Sequence, residues 1–252
     1  GLLLALSMFV SPALAQLGQR FPSERKVVPD PVTGVPLIFL TSTPAGDSKI
    51  YPTHPQWTSD GKWLVFRSNR VPGEALAVNE ATGDLVQVTE GGYLGMLVNA
   101  RTTMTLYVMR DPARPPGTPP PARGTPRGDL QIVAIDLGRL LPDSLAGKVA
   151  AKSAYERVVG VIPAALGAGG DMALDGAEDV IYFRAGREYA EKHLAPGTEL
   201  QGNFGPRNMG AGPTAIASMH VQTGEIRHVI SVPFQTGHVQ TNPWVPGEIV
   251  FS

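Results

Sequence analysis

The sequence predicts an all-β protein built as a β-propeller, and three observations support this. A segment with an aromatic residue, a short polar turn and a strand rich in β-branched and aromatic residues, HPQWTSDGKWLVF at residues 54–66, returns as NPWVPGEIVF at residues 242–251. Fainter copies occupy residues 98–108 and 172–183. A second predicted hairpin follows each of the first three copies, which makes a four-stranded antiparallel blade. We therefore expect about four blades in this chain.

The second hairpins and the insertions can both be located in the sequence. The hairpins are predicted at residues 76–89, 130–162 and 216–232. Later copies follow at spacings longer than the about 40–45 residues of a plain blade, which indicates insertions. Three segments without a strand pattern account for the excess: residues 111–128, 138–152 and 186–212. Long loops on a rigid sheet scaffold often carry function, so these segments are candidate binding elements.

Composition excludes several classes of function. The chain has 252 residues, 42% of them hydrophobic and 17% charged, which is enough to bury a core. A net charge of −1 provides no basic surface for nucleic acid, and the absence of cysteine excludes disulfides, thiolate metal sites and a cysteine nucleophile. No P-loop follows the glycine-rich residues 167–170, and the chain has no G-x-S-x-G elbow.

The N-terminus resembles a secretory signal. The apolar run GLLLALSMFV at residues 1–10 precedes SPALA, a sequence with an A-x-A cleavage site after Ala15. About ten apolar residues are too few for a bilayer that needs about 20, so no membrane span is expected after cleavage. We expect a partial signal peptide at residues 1–15, an incomplete propeller at residues 16–252, and a periplasmic or secreted location.

The sequence at both ends of the chain predicts that it is a fragment of a longer protein. No initiator Met or basic segment precedes Gly1, and Ser252 follows directly after a predicted inner strand. Residues 28–41 have the pattern of an outer hairpin with no inner hairpin before it. In closed propellers such an N-terminal strand completes the last blade and removes an exposed sheet edge.

The residues that follow these patterns carry a family resemblance. The segment at residues 55–70, with Thr-Gly-Asp at residues 82–84, resembles the WD40-like repeat of TolB-type periplasmic proteins. A narrower resemblance is to oligogalacturonate lyases: a D-x-x-T-G hairpin begins at Asp30, a T-x-D-G-K turn at Thr58, and a T-G-E hairpin at Thr223 leads towards a Gly-His pair.

The resemblance implies a fold, a reaction and a cofactor. It implies a propeller of about seven blades in the full-length protein, of which about four lie here. It also implies β-elimination on acidic (uronate) oligosaccharides, with a histidine base and a divalent cation of the Mn²⁺ type. The base, its companion arginine and most metal ligands of the family pattern fall beyond Ser252, so no catalytic residue or metal ligand is assigned in this chain.

Six residues are candidate substrate-binding positions. His54 and His238 each come just before a predicted innermost strand, where side chains can face the central channel, and Gln56 and Gln240 stand two residues further on. The full set is His54, Gln56, Arg70, Arg207, His238 and Gln240. Each arginine could pair bidentately with a uronate carboxylate. The alternatives are histidines that hydrogen-bond a neighbouring blade's backbone, and solvated surface arginines.

Two other functions fit the same repeats. One is a noncatalytic TolB-like periplasmic propeller that binds a protein partner through its insertions. The other is the gating propeller of a prolyl-oligopeptidase-type enzyme, with its catalytic domain downstream. Trp57, Trp63 and Trp244 could stack on sugar rings, but at these repeat positions we expect them to pack between blades.

Overall fold

The computed structural model describes residues 16–119, 125, 127–203 and 211–252, and in them the chain is almost entirely β-structure. In chain order the strands are β1 (Arg20–Phe21), β2 (Lys26–Pro29), β3 (Pro36–Phe39), β4 (Ser48–Lys49), β5 (Trp63–Ser68), β6 (Glu74–Asn79), β7 (Leu85–Gln87), β8 (Tyr93–Asn99), β9 (Thr105–Arg110), β10 (Leu130–Asp136), β11 (Glu156–Ile162), β12 (Met172–Leu174), β13 (Val180–Ala185), β14 (Thr214–His220), β15 (Ile226–Val232), β16 (Gln240–Thr241) and β17 (Ile249–Val250). Two α-helices, α1 (Leu137–Leu145) and α2 (Arg187–Glu191), and two 3₁₀ turns, Lys152–Ala154 and Ala164–Leu166, complete the elements.

The strands form three large antiparallel sheets and two hairpins. Sheet 1 has the order β4-β5-β6-β7-β1, sheet 2 the order β8-β9-β10-β11, and sheet 3 the order β12-β13-β14-β15. The pairs β16-β17 and β2-β3 are two-stranded. The innermost strands are neighbours in space, since β8 lies beside β12 and β12 beside β16. The prediction of an all-β propeller is confirmed, and β16-β17 begins the fourth repeat.

Alternation along the strands explains why the sheets stack. In β9, Leu106 and Val108 join the core between sheets 1 and 2, whereas Tyr107 and Met109 join the core between sheets 2 and 3. Successive side chains of a strand point to opposite faces, so an apolar residue at every position buries both faces. A sheet with two apolar faces must be covered on both sides, and the neighbouring blades provide that cover.

The second insertion contributes to this core. Residues 138–152 contain most of α1, which begins directly after β10, and the Asp136 carboxylate accepts a hydrogen bond from the Arg139 N–H as an N-cap. Leu137, Leu140 and Leu141 are buried in the core between sheets 1 and 2. This insertion is therefore a structural element that extends the apolar layer.

The N-terminal hairpin β2-β3 is held at its base by an ion cluster around Arg70. The Glu24 carboxylate accepts hydrogen bonds from the N–H groups of Ser42 and Thr43, both at 2.8 Å, and from the Arg70 guanidinium. Arg70 also pairs with Asp47. Burial raises the pKa of Glu24, but these backbone and guanidinium donors outweigh it and lower that pKa to about 2.

We predict that Arg70→Met destabilises the protein by about 1–3 kcal/mol, because it leaves two carboxylates without their cation. The Arg70 side chain is only 8% exposed. Since the pKa of Glu24 is lower in the folded chain, its contribution is fully present above about pH 4.5 and is lost as pH falls towards about 2. Urea denaturation at neutral and acidic pH measures this, and the unfolding free energy of the variant should fall less on acidification than that of wild type.

The control is Arg20→Met, which removes a pair with Asp84 whose arginine side chain is 50% exposed. An exposed pair of this kind contributes at most about 1 kcal/mol. Equal losses of stability in the two variants would contradict a structural role for the Arg70 cluster.

Candidate functional site

Three aromatic side chains meet where the inner strands begin. The ring centroids of Tyr51 and His54 are 5.4 Å apart, and those of Tyr51 and His238 are 5.6 Å apart with nearly parallel planes. His238 lies in the loop before β16, with a positive φ of 54°. Tyr51 thus connects the two histidines, which are far apart in the sequence.

Side-chain amides fix the loop that carries His54. Gln56 Nε2 donates hydrogen bonds to the carbonyl oxygens of Tyr51 and His54 at 2.8 and 2.9 Å. Asn99, at the end of β8, donates from Nδ2 to the carbonyls of Pro55 and Gln56 at 3.1 and 3.2 Å. The loop is therefore closed on itself and tied to the next blade.

His54 lines a small enclosed cavity together with Asn99 and Gln240. Its volume is about 40 Å³, enough for about one water molecule. His54 is 7% exposed, and neither of its ring nitrogens makes a hydrogen bond of acceptable geometry; the same holds for the Oδ1 atom of Asn99. Burial lowers the pKa of His54, although the backbone of Leu97 and Val239 and the charge of Asp171 oppose this. The imidazole is therefore neutral at neutral pH.

A larger cavity of about 1070 Å³ opens beside His238. Its walls are the end of β11, the loop 163–171, Arg184 with the start of α2, and residues 234–238. The first insertion contributes its last residues, 127–128, to the lining, and the third insertion contributes the start of α2. Two of the three insertions thus frame this cavity, whose lining also includes Leu130 and Ile162 of sheet 2 and Arg184 of sheet 3.

Arginines outnumber carboxylates in the lining of the larger cavity, and one of them, Arg187, also pairs with Glu191. Three arginines line it, Arg127, Arg184 and Arg187, against two carboxylates, Asp171 and Glu188. Arg184 donates from Nε and Nη2 to the carbonyl of Gly169 at 3.3 and 3.1 Å, and from Nη1 to the carbonyl of Thr236 at 3.3 Å. These contacts fix the guanidinium but leave its charge unneutralised, which favours an anionic ligand.

The predicted site residues divide into three groups. His54, Gln56, His238 and Gln240 lie close together, Gln240 in β16 and His238 just before it. The innermost strand predicted after His54 is reduced to an isolated bridge between Trp57 and Leu64, so His54 and Gln56 lie in the loop between β4 and β5. Arg70 lies in the ion cluster with Glu24 and Asp47, so its guanidinium is occupied by the protein and takes no part in the site. Arg207 lies outside the described residues.

The tryptophans follow the core prediction only in part. Trp63 is buried between sheets 1 and 2. The prediction is wrong for Trp244, which is 84% exposed because it lies in the turn between β16 and β17, with the Arg101 guanidinium 6.0 Å from its ring centroid. Trp57 is 37% exposed.

Sequence reasoning missed Tyr51, Arg127 and Arg184. The sequence offered a signal for Arg184: it follows Phe183 near the end of the second strand of its blade, as Arg67 follows Phe66. Aligning the repeats on these Phe-Arg pairs would have identified it. Arg127 has no such counterpart, because it lies in an insertion.

A divalent cation site is not formed by the described residues alone. Among them no three His, Asp or Glu side chains come close enough to hold a metal ion together. His238 and Asp171 both line the larger cavity, but two ligands fall short of a protein site.

We predict that His54→Leu leaves the unfolding free energy at neutral pH unchanged or raises it by up to about 1 kcal/mol, because it removes two buried nitrogens that make no hydrogen bond of acceptable geometry. Since the pKa of His54 is lowered by folding, its ionisation destabilises the wild type as pH falls below 6.5. The variant should lose less stability on acidification in urea titrations.

His220→Leu is the matched comparison. His220 Nδ1 accepts hydrogen bonds from the N–H groups of Gln222 and Thr223 in the β14-β15 turn, so its loss should cost about 1 kcal/mol. A larger loss of unfolding free energy in His54→Leu than in His220→Leu would mean that His54 has a structural partner.

Comparisons with known proteins agree with this architecture. No protein-family model matches the chain, and no curated protein matches it. Among solved structures, an oligogalacturonate lyase in complex with manganese superimposes with a TM-score of 0.65 and 17% identity over 93% of this chain. The oligogalacturonate lyase of Vibrio parahaemolyticus gives a TM-score of 0.65 and 15% identity over 94%. A TolB structure from Agrobacterium tumefaciens has a TM-score of 0.24, which is too low to support an argument.

The chain matches only part of each lyase structure. The chain spans 54% of the length of each of the two lyase structures. Within the described residues, no helix is both long and apolar enough to cross a membrane. At this level of identity the likeness establishes the fold, and the chain therefore has the propeller fold seen in oligogalacturonate lyases.

Proposed function

We propose that this chain belongs to an exported lyase-type propeller that acts on acidic (uronate) oligosaccharides by β-elimination. The observation that carries the proposal is the cavity of about 1070 Å³ beside His238, in which arginines outnumber carboxylates. A cavity of this size suits an oligosaccharide, and its charge favours one that carries carboxylates. The shared fold with two oligogalacturonate lyases supports the same substrate class.

The chemistry of the reaction explains why such a cavity is useful. In β-elimination a base removes the C5 proton of a uronate, the C4–O bond breaks, a C4=C5 double bond forms, and the leaving oxygen takes up a proton. The C5 proton is weakly acidic, so positive charge beside the carboxylate lowers the barrier. The arginine-lined wall would bind the carboxylate, and His238 would contact the sugar at the cavity edge.

Two parts of the proposal rest on features outside the described site. Export rests on residues 1–15, which are not described. A divalent cation of the Mn²⁺ type is supported by the manganese complex of one lyase structure, and further ligands would have to come from elsewhere in the full-length protein. That ion would neutralise the substrate carboxylate when bound.

The test is an assay of the full-length protein with oligogalacturonate and Mn²⁺. We expect ultraviolet absorbance from the unsaturated product, suppressed by a chelator. His238→Ala should lower kcat/KM by about tenfold or more, because this residue borders the cavity. His220→Ala is the control, since His220 is the last residue of β14 and lies outside the cavity lining.

The outcomes separate the candidate functions. Absence of product from several uronates, with binding retained, would replace the lyase by a noncatalytic binding propeller. Absence of both product and binding would overturn the proposal. Equal kcat/KM losses in the two histidine variants would remove His238 from the site while leaving the activity in place.

A further inference from the structure

Two consecutive glycines make room for two arginines at the wall of the larger cavity. Gly169 and Gly170 have φ values of 145° and 99°, a conformation that side chains rarely adopt. A Cβ on Gly169 would overlap the Arg127 guanidinium, and a Cβ on Gly170 would come within 2.8 Å of Arg184 Nη2. The glycine-rich run at residues 167–170 thus allows both guanidinium groups to approach the same backbone.

Neither guanidinium is neutralised by a carboxylate of the described residues. Among the ion pairs of the described residues, none involves Arg127 or Arg184. Arg184 makes hydrogen bonds only to backbone carbonyls, and the buried Nε atom of Arg127 has no hydrogen-bond partner. Asp171 lines the same cavity without forming an ion pair with either arginine.

We infer that Arg127 and Arg184 form a binding site for a sugar carboxylate, built on Gly169 and Gly170. The inference rests on the proposed function and names the subsite that would recognise the acidic group. Two unneutralised guanidiniums at one wall suit a planar carboxylate, because its two oxygens can accept hydrogen bonds from the remaining Nη–H groups of both arginines. A neutral hydroxyl at the same place would leave both charges unpaired, so the site selects uronates against neutral sugars.

The experiment measures binding to the full-length protein by calorimetry, with three probes: oligogalacturonate, the matching neutral galactose oligomer, and inorganic sulfate. Arg127→Gln should weaken oligogalacturonate binding by about ten- to a hundredfold, the loss expected for charge-assisted hydrogen bonds. Arg127→Lys keeps the positive charge but loses the planar set of guanidinium donors. Its affinity for oligogalacturonate should therefore lie between those of wild type and Arg127→Gln. Galactose oligomer binding should change less than about threefold.

The control is Arg227→Gln, which removes one positive charge from an exposed residue of β15 paired with Glu225. It should leave oligogalacturonate binding within about twofold of wild type. Melting curves of all variants exclude misfolding as the cause of a loss.

Each outcome bears on one claim. If wild type binds oligogalacturonate and Arg127→Gln binds it equally well, the subsite is wrong and the proposed function stands. If the arginine-dependent binding is present but no unsaturated product forms, the subsite stands and the lyase activity fails. Sulfate binding as tight as oligogalacturonate binding, with the same loss in Arg127→Gln, would overturn the assignment to a sugar carboxylate.

Discussion

The requirement to cover both faces of every sheet organises this protein. Strands such as β9 and β13 carry apolar side chains at consecutive positions, so neither face can be left to solvent. Sheet 2 satisfies this by packing on sheet 1 through one face and on sheet 3 through the other. Repeating the arrangement places the inner strands side by side, and their loops meet near a common axis. The position of the candidate site follows from this packing.

Convergence of the inner strands also explains the polar composition of the site. The carbonyl oxygens of the loops near these strands need hydrogen-bond donors in a confined space. The side-chain amides of Gln56 and Asn99 donate these hydrogen bonds. His54 is enclosed in the same region without a partner for either nitrogen. A buried polar group without a partner is a cost to stability, which selection tolerates most readily where the group meets a ligand or an ordered water.

The fold was largely predictable because its signals are local. The aromatic residue, polar turn and β-branched strand of each repeat lie within about a dozen residues, so a repeat pattern predicts the hairpins directly. The helix α1 was missed, although Leu137, Leu140 and Leu141 have helical spacing in the sequence; Gly138 and Pro142 weaken that local signal. The site was less predictable: Arg70 and Arg184 are both arginines near the end of a second strand, and only the three-dimensional structure places Glu24 beside the first and an open cavity beside the second.

Arginines near the ends of the second strands take different roles from one blade to the next. Arg67 donates to the carbonyl of Lys49, and Arg110 pairs with the buried carboxylate of Glu156. Arg184 has carbonyl partners only, and the loop that precedes its blade contains Gly169 and Gly170. A carboxylate beside Arg184 would neutralise it, and a side chain at position 170 would displace it. The anion-binding site proposed for this blade therefore depends on the glycines of the neighbouring loop and on the lack of a carboxylate paired with Arg184, as much as on the arginine itself.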